Sequence, residues 1–153
     1  MRTEAELGDA FIRHMRNIGA ILDGHFLYAS GKHGVKYLNK DMLSLPPVEL
    51  RDFLEELCEK IDPSVDVVVA PVIGAVIPAT HLSYLLSKRW HRNIPLCYAE
   101  KIPGELGFLL KRGFDKAVLG ARALLVEDIL TTGGSVNRVI PAIEENGGKV
   151  IQI

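Results

Sequence analysis

Apolar residues recur at helical spacing from Thr3 to about Ile18 (Leu7, Phe11, Met15, Ile18), and Thr3 with Glu6 has the form of a capping box. The stretch predicts an amphipathic helix that Gly19 ends. The period then changes. Phe26–Tyr28 and Val35–Leu38 read as short strands about a Ser30-Gly31 turn, a hairpin with Lys32, His33 and Lys36 near its tip. Pro47 suits the first position of a second helix. Leu50, Phe53, Leu54, Leu57 and Ile61 form its apolar face, Arg51, Asp52, Glu55, Glu56 and Glu59 face water, and Pro63 marks the exit.

Beyond Pro63 continuous apolar runs replace alternation. Val65 with Val67–Val69 and Ile94–Ala99 read as strands, and the unalternating Ala123–Val126 as a strand covered on both faces, the pattern of a parallel sheet. Helices are expected from about Ala75 to Leu86 and from Val136 to about Asn146, where Gly147-Gly148 ends the second. Pro141 predicts a kink or a short first segment in that helix. Ile102–Gly107 is a turn-rich loop, Phe108–Leu110 a short strand, and Lys149–Ile153 a last strand. The order predicts an α/β fold: an open, mainly parallel sheet with helices on both faces, preceded by an N-terminal helix and hairpin flap. At 153 residues we expect one domain, 1–153, with 1–45 forming the helix and hairpin and 46–153 the core.

Composition narrows the class. A net charge of −1 gives no electrostatic reason to expect nucleic acid. Cys58 and Cys97 are too few for a disulfide scaffold, lack metal-site spacing and read as buried thiols. No apolar run approaches a membrane span, and the N-terminus lacks a signal-peptide core, so the expected setting is the cytoplasm.

The chemistry concentrates in Ala123–Val136, ALLVEDILTTGGSV. A buried strand runs into Glu127 and Asp128, then Ile129 and Leu130, then Thr131, Thr132, Gly133, Gly134 and Ser135 ahead of a helix. In open parallel sheets ligands sit beyond the carboxyl ends of the strands. A glycine turn opening a helix offers backbone N–H groups and the positive dipole end to a phosphate. Carboxylates repel phosphate, so the two acids must face another part of the ligand. Vicinal sugar hydroxyls, bound directly or through Mg²⁺, meet that need, and a sugar phosphate is the natural ligand. A plain strand–turn–helix with solvated acids is the alternative these residues leave open. The Walker pattern is absent.

This stretch resembles the signature of type I phosphoribosyltransferases: apolar run, two acids, two apolar residues, then T-T-G-x-S. The resemblance implies 5-phosphoribosyl-1-pyrophosphate (PRPP) with Mg²⁺ as ligand. Glu127 and Asp128 would hold the ribose hydroxyls, or Mg²⁺ through them, and Thr131, Thr132, Gly133, Gly134 and Ser135 would wrap the 5-phosphate. The pattern F-x-x-x-S-G-[KR]-x-x-x-x-Y-x-N from Phe26 is similar to the base-covering segment of orotate phosphoribosyltransferases. It makes Phe26, Lys32 and Thr131 the base-binding candidates. By the same resemblance Val72, Ile73 and Gly74 form a pyrophosphate loop acting through backbone N–H groups, although a plain β–α turn fits those residues equally well. Lys101 matches the lysine that starts the family's mobile catalytic loop.

The resemblance implies transfer of phosphoribose to a base, orotate favoured, with no covalent nucleophile. Asp128, Glu127 and Lys101 are the catalytic candidates, and a homodimer is the expected state. Departures are also visible. Ala29 and Ile73 stand where many orotate enzymes carry Lys, and the other basic residues and the His of the mobile loop are missing. Lys111 and Arg112 are the cations at hand to replace that charge, though a solvated hairpin tip explains them as well. The chain also stops at a strand past which such enzymes usually continue, so a truncated carboxyl end is expected. These departures favour the rival readings: a non-catalytic PRPP sensor on the same fold, or an enzyme for another base.

Overall fold

The computed structural model describes residues 3–28, 31–44, 46–130 and 132–153. They form two compact units, Met1–Phe53 and Leu54–Ile153.

The first unit opens with α1 (Glu4–Asn17). Thr3 caps it, accepting from the Glu6 N–H at 3.2 Å while Glu6 accepts from the Thr3 N–H at 2.8 Å, the capping box expected. Phe11 meets Phe53 edge-on, ring centroids 5.3 Å apart. β1 (Ile21–Leu27) pairs antiparallel with β2 (His33–Leu38). Each strand is longer than Phe26–Tyr28 and Val35–Leu38 suggested, because backbone pairing extends past the apolar residues that mark it in sequence. Register slips between Asp23 and Phe26, a bulge that Gly24 tolerates. Ala29 and Ser30 of the turn lie outside the described residues.

The unit boundary falls within α2 (Pro47–Leu57). Pro47 is its first residue, as expected, but the α-helix stops at Leu57, which is 37% exposed, and a 3₁₀ turn (Cys58–Lys60) follows. Periodicity in sequence does not separate α from 3₁₀ windings, which differ by about half a residue per turn.

The second unit is a five-stranded sheet in the order β5-β4-β3-β6-β7, from β3 (Val67–Pro71), β4 (Leu96–Lys101), β5 (Phe108–Leu110), β6 (Arg122–Leu125) and β7 (Lys149–Gln152). All pairs are parallel except β4–β5. Every β3 residue is buried, which accounts for its unbroken apolar run. Val67, Val69 and Leu125 share a core with Val139, Ala142 and Ile143 of α5 (Val136–Glu144). α3 (Val76–Trp90) makes the other crossover, between β3 and β4, and buries Ala79, Leu82 and Leu86. α4 (Phe114–Val118) is an element the periodicity does not reveal, its five residues being too few to show a period. α5 runs on through Pro141 instead of ending there. Cys58 and Cys97 are buried thiols, and burial pushes both up to about 11.

One carboxylate fixes the edge of the sheet opposite the acids. Asp66 accepts from the Arg122 N–H (3.1 Å) and guanidinium (2.8 and 3.1 Å) and from Arg92 (3.1 Å). The Arg122 side chain, ahead of Arg92, holds Asp66 well below the usual carboxylate range. Among the described residues no helix is long and apolar enough to cross a membrane.

Candidate active site

β3 and β6 are neighbours, yet the chain leaves them in opposite directions: β3 goes through α3 to β4 on one flank, β6 through α5 to β7 on the other. The crevice beyond their carboxyl ends is the switch point where open α/β sheets bind ligands. Val126 N–H donates to the Val69 carbonyl at 2.8 Å, extending the pairing past Leu125 before the chain lifts away. Glu127 and Asp128 follow directly, on the rim of that crevice.

Both acids are half-buried and turned onto the local backbone. Asp128 N–H donates to Glu127 Oε1 at 3.2 Å, and Ile129 N–H to Asp128 Oδ1 at 2.9 Å. Glu127 Oε2 is buried and, among the described residues, has no hydrogen-bond donor within bonding geometry. Burial pushes the Glu127 carboxyl above its ordinary value, and the adjoining Asp128 carboxyl adds to the rise. The Asp128 N–H and the Ser135 hydroxyl offset part of it. A buried acceptor on paired carboxylates calls for a cation or hydroxyl donors. Hard oxygen donors fit Mg²⁺. Among the described residues, however, no group of three or more His, Cys, Asp or Glu could hold a metal ion. An ion here would therefore depend on oxygens of substrate and water.

The turn 132–135 leads into α5. Gly133 has φ +73°, open to glycine at little cost, and its carbonyl accepts from the Asn137 N–H at 2.8 Å. No described residue accepts from the N–H groups of Thr132, Gly133, Gly134 or Ser135, which leaves four donors unclaimed among the described residues at a helix start. The cavity between Glu127 and this turn is about 30 Å³, one water's worth, so a phosphate would rest on the open side of the loop. Asn137 was missed in sequence. Its side-chain nitrogen lies 3.5 Å from where a Cβ on Gly133 would stand, within reach of the same loop. A helix-face asparagine carries no motif that would have singled it out. Thr131 lies outside the described residues.

Across the crevice, a cis peptide bond joins Val72 to Ile73. The Val72 N–H is committed to the Ala99 carbonyl at 3.0 Å, which corrects its assignment as a pyrophosphate donor. Pairing of β3 with β4 continues one residue beyond Pro71 and consumes it. The N–H groups of Ile73 and Gly74 have no acceptor among the described residues, and the Ile73 side chain is 82% exposed. Lys101 ends β4 at this same edge, exposed, with no carboxylate partner among the described residues.

Lys111 and Arg112 go elsewhere. β5 runs antiparallel to β4, with Lys101 opposite Phe108 and Ala99 opposite Leu110, and so carries both cations back from the rim. Their side chains reach Glu100, which holds Arg112 at 3.0 Å and Lys111 at 4.0 Å. The tip, Ile102–Gly107, has no cation. Phe26 and Lys32 belong to the hairpin of the first unit, where Phe26 stacks 5.5 Å from Tyr37 and Lys32 is exposed.

The phosphoribosyl transferase domain family matches residues 48–153. The chain belongs to the phosphoribosyltransferase family. Within that family it is orotate phosphoribosyltransferase-like. It is 37% identical over 151 residues to the orotate phosphoribosyltransferase of Caldicellulosiruptor bescii, covering 95% of this chain and 72% of that one. It is 34% identical over 146 residues to that of Caulobacter vibrioides, covering 94% and 71%. The fold agrees with solved orotate phosphoribosyltransferases from Francisella tularensis (TM-score 0.67, 17% identity, 92% of this chain and 67% of that one) and Aeropyrum pernix (0.67, 23%, 90% and 75%).

The phosphoribosyltransferase acids make one stability prediction. Because the Glu127 value is raised by folding, the native state binds protons more tightly than the unfolded chain, and stability is lost as pH rises from the ordinary glutamate range through the raised value. Glu127→Gln should therefore unfold at a higher urea midpoint than wild type at pH 7. The two should converge below the ordinary glutamate range. Equal midpoints at both pH values would contradict the assignment.

Proposed function

We propose that this chain transfers the 5-phosphoribosyl group of PRPP to a nucleobase, orotate being favoured, and releases pyrophosphate. The observation that carries this reading is the pairing, on one rim, of two half-buried carboxylates with a turn whose amides no described residue claims. One half suits sugar hydroxyls and the other a phosphate, and PRPP has both. Gly133, Gly134, Ser135 and Thr132, with Thr131 beside them, would take the 5-phosphate. Glu127 and Asp128 would take the ribose hydroxyls and carry negative charge beside an anomeric carbon that becomes positive as the leaving group departs. The Ile73 and Gly74 N–H groups and Lys101 would face the pyrophosphate. Phe26 and Lys32 would cover the base, with both units working as one domain.

Mg²⁺ would arrive on PRPP and neutralise the pyrophosphate, with Glu127 and Asp128 as the residues to hold it. A homodimer in the cytoplasm completes the reading; the dimer rests on family resemblance and the cytoplasm on the sequence pattern.

The second reading, a PRPP-binding protein without turnover, is favoured by one observation. The cations nearest the missing mobile-loop charge are engaged in ion pairs with Glu100. A base panel separates the two. With Mg²⁺·PRPP, the enzyme should release pyrophosphate only when a base is added, fastest with orotate. Calorimetric binding of PRPP without release for any base would establish the sensor instead.

A further inference from the structure

The diphosphate is the most highly charged part of PRPP, yet Lys101 is the one cation so far assigned to it. Lys111 and Arg112 are not used by the proposed reaction, and strand register brings their side chains near the same loop. The Val72 N–H donates to the Ala99 carbonyl, so the next residue of β4, Glu100, stands beside the start of the Val72–Gly74 loop. Cys97 and Ala99 belong to the core shared with α5, and alternation turns Glu100 to the opposite face. β3 and β6 lead away in opposite directions, and right-handed crossovers then put α3 on that opposite face. Glu100 and the loop that opens α3 therefore share one side of the sheet. Phe108 and Leu110 also belong to the α5 core, so Lys111 falls on the Glu100 side by the same alternation. Arg112 would fall on the other side, but its φ is +61°, a left-handed backbone uncommon outside glycine. That turn brings it back, and Arg112 Nε donates to Glu100 Oε1 at 3.0 Å. Among the described residues no acceptor takes the two terminal guanidinium nitrogens.

We propose that Arg112 binds the diphosphate of PRPP and the pyrophosphate released from it: Glu100 holds Nε, and the fork of Nη1 and Nη2 takes two phosphate oxygens. This rests on the PRPP reading and adds to it the cation that Ile73 and the loop Ile102–Gly107 do not supply. The charge balance allows it. Glu100 is one carboxylate against two cations, Lys111 at 4.0 Å and Arg112 at 3.0 Å, so the cluster stays net positive beside the loop. The strengths allow it too. The Arg112 side chain is exposed, and an ion pair in water is weakly held. A guanidinium fork on phosphate makes two parallel charge-assisted bonds, which a lysine cannot reproduce. Anchoring Nε on Glu100 also fixes the plane of the guanidinium before the ligand arrives, which lowers the ordering cost of binding.

The test titrates the full chain by calorimetry with Mg²⁺·pyrophosphate and, separately, with ribose 5-phosphate, which has no diphosphate. Arg112→Gln should weaken pyrophosphate about tenfold or more and leave ribose 5-phosphate within about twofold of wild type. Arg112→Lys keeps the charge without the fork and should recover only part of the loss. A purely structural role, in which Arg112 merely neutralises Glu100, is separated by a double-mutant cycle. In a Glu100→Gln background that role predicts no further effect of Arg112→Gln, whereas a direct contact predicts the same loss of pyrophosphate as before. Disappearance of the loss in that background, full recovery by Arg112→Lys, or equal weakening of both ligands would each overturn the assignment. So would Arg112→Gln binding pyrophosphate like a wild type that also binds ribose 5-phosphate, an outcome that leaves the phosphate turn standing. Wild type that binds neither ligand would overturn the PRPP reading and this contact together.

Discussion

Asp128→Asn is expected to lower the kcat/KM for PRPP by at least about 10²-fold, the size of effect seen when one preorganised electrostatic group is removed from a transition state. The substitution is nearly isosteric. Asp128 Oδ1 accepts from the Ile129 N–H at 2.9 Å, and an asparagine oxygen can keep that bond, so the local backbone has no reason to move. What disappears is the charge. A neutral amide holds ribose hydroxyls less well and gives no stabilisation to the positive charge that develops at the anomeric carbon. It also leaves Glu127 with a different neighbour, because the Asp128 carboxyl is second only to burial in raising Glu127. The measurement is pyrophosphate release at varied PRPP, beside calorimetric titration of PRPP with Mg²⁺ into both proteins. Binding lost with turnover places the ribose on this acid. Wild-type kinetics in the variant would remove it from the site.

The second large effect concerns the fold that holds the loop. Gly148→Val should destabilise the protein by about 2–4 kcal/mol, in the range of severe overpacking against backbone. A Cβ at Gly148 would stand 2.8 Å from Ile143 Cγ2, 2.9 Å from the Val118 carbonyl and 3.2 Å from the Ile143 carbonyl. Two of those three atoms are backbone and cannot rotate aside. The position is crowded because α5 closes there: Gly148 N–H donates to the Ile143 carbonyl and Gly147 N–H to the Glu144 carbonyl, at 3.0 and 2.9 Å. Gly147 differs in kind. It has φ +78°, and a Cβ there would meet only Leu119 Cδ1, the end of a flexible side chain, at 2.7 Å. Gly147→Ala should cost about 1–2 kcal/mol, mainly for the left-handed backbone. Urea midpoints would rank the two, and the reverse order would show that the close approach at Gly148 is not what constrains this corner.

These two sites differ in how they could be read. The acids and the glycine turn were legible as chemistry before any fold was known, because a carboxylate pair beside a phosphate-type loop restricts the ligand. Gly147-Gly148 was legible only as a helix stop. That one of the pair is needed for its conformation and the other for space is a property of neighbours 5 and 30 residues away. The pyrophosphate loop shows the same limit. Val72, Ile73 and Gly74 look alike as backbone donors, but the Val72 N–H is taken by Ala99, and the register of two strands decides that. Lys111 and Arg112 are near Lys101 in sequence, yet the antiparallel turn of β5 sends them the other way.

By itself, the sequence determined the α/β class, the capping box on α1, the doubly covered run of β6 and the acid-and-glycine stretch between β6 and α5. Each depends on residues close together in the chain, where periodicity, capping and backbone freedom act locally. The tertiary structure alone decided that β3 and β6 meet at a switch point, that Glu127 Oε2 is buried without a partner among the described residues, that α4 exists, and that His25 and His33 face each other. Those depend on strand order, register and desolvation, which are set by contacts between residues distant in sequence.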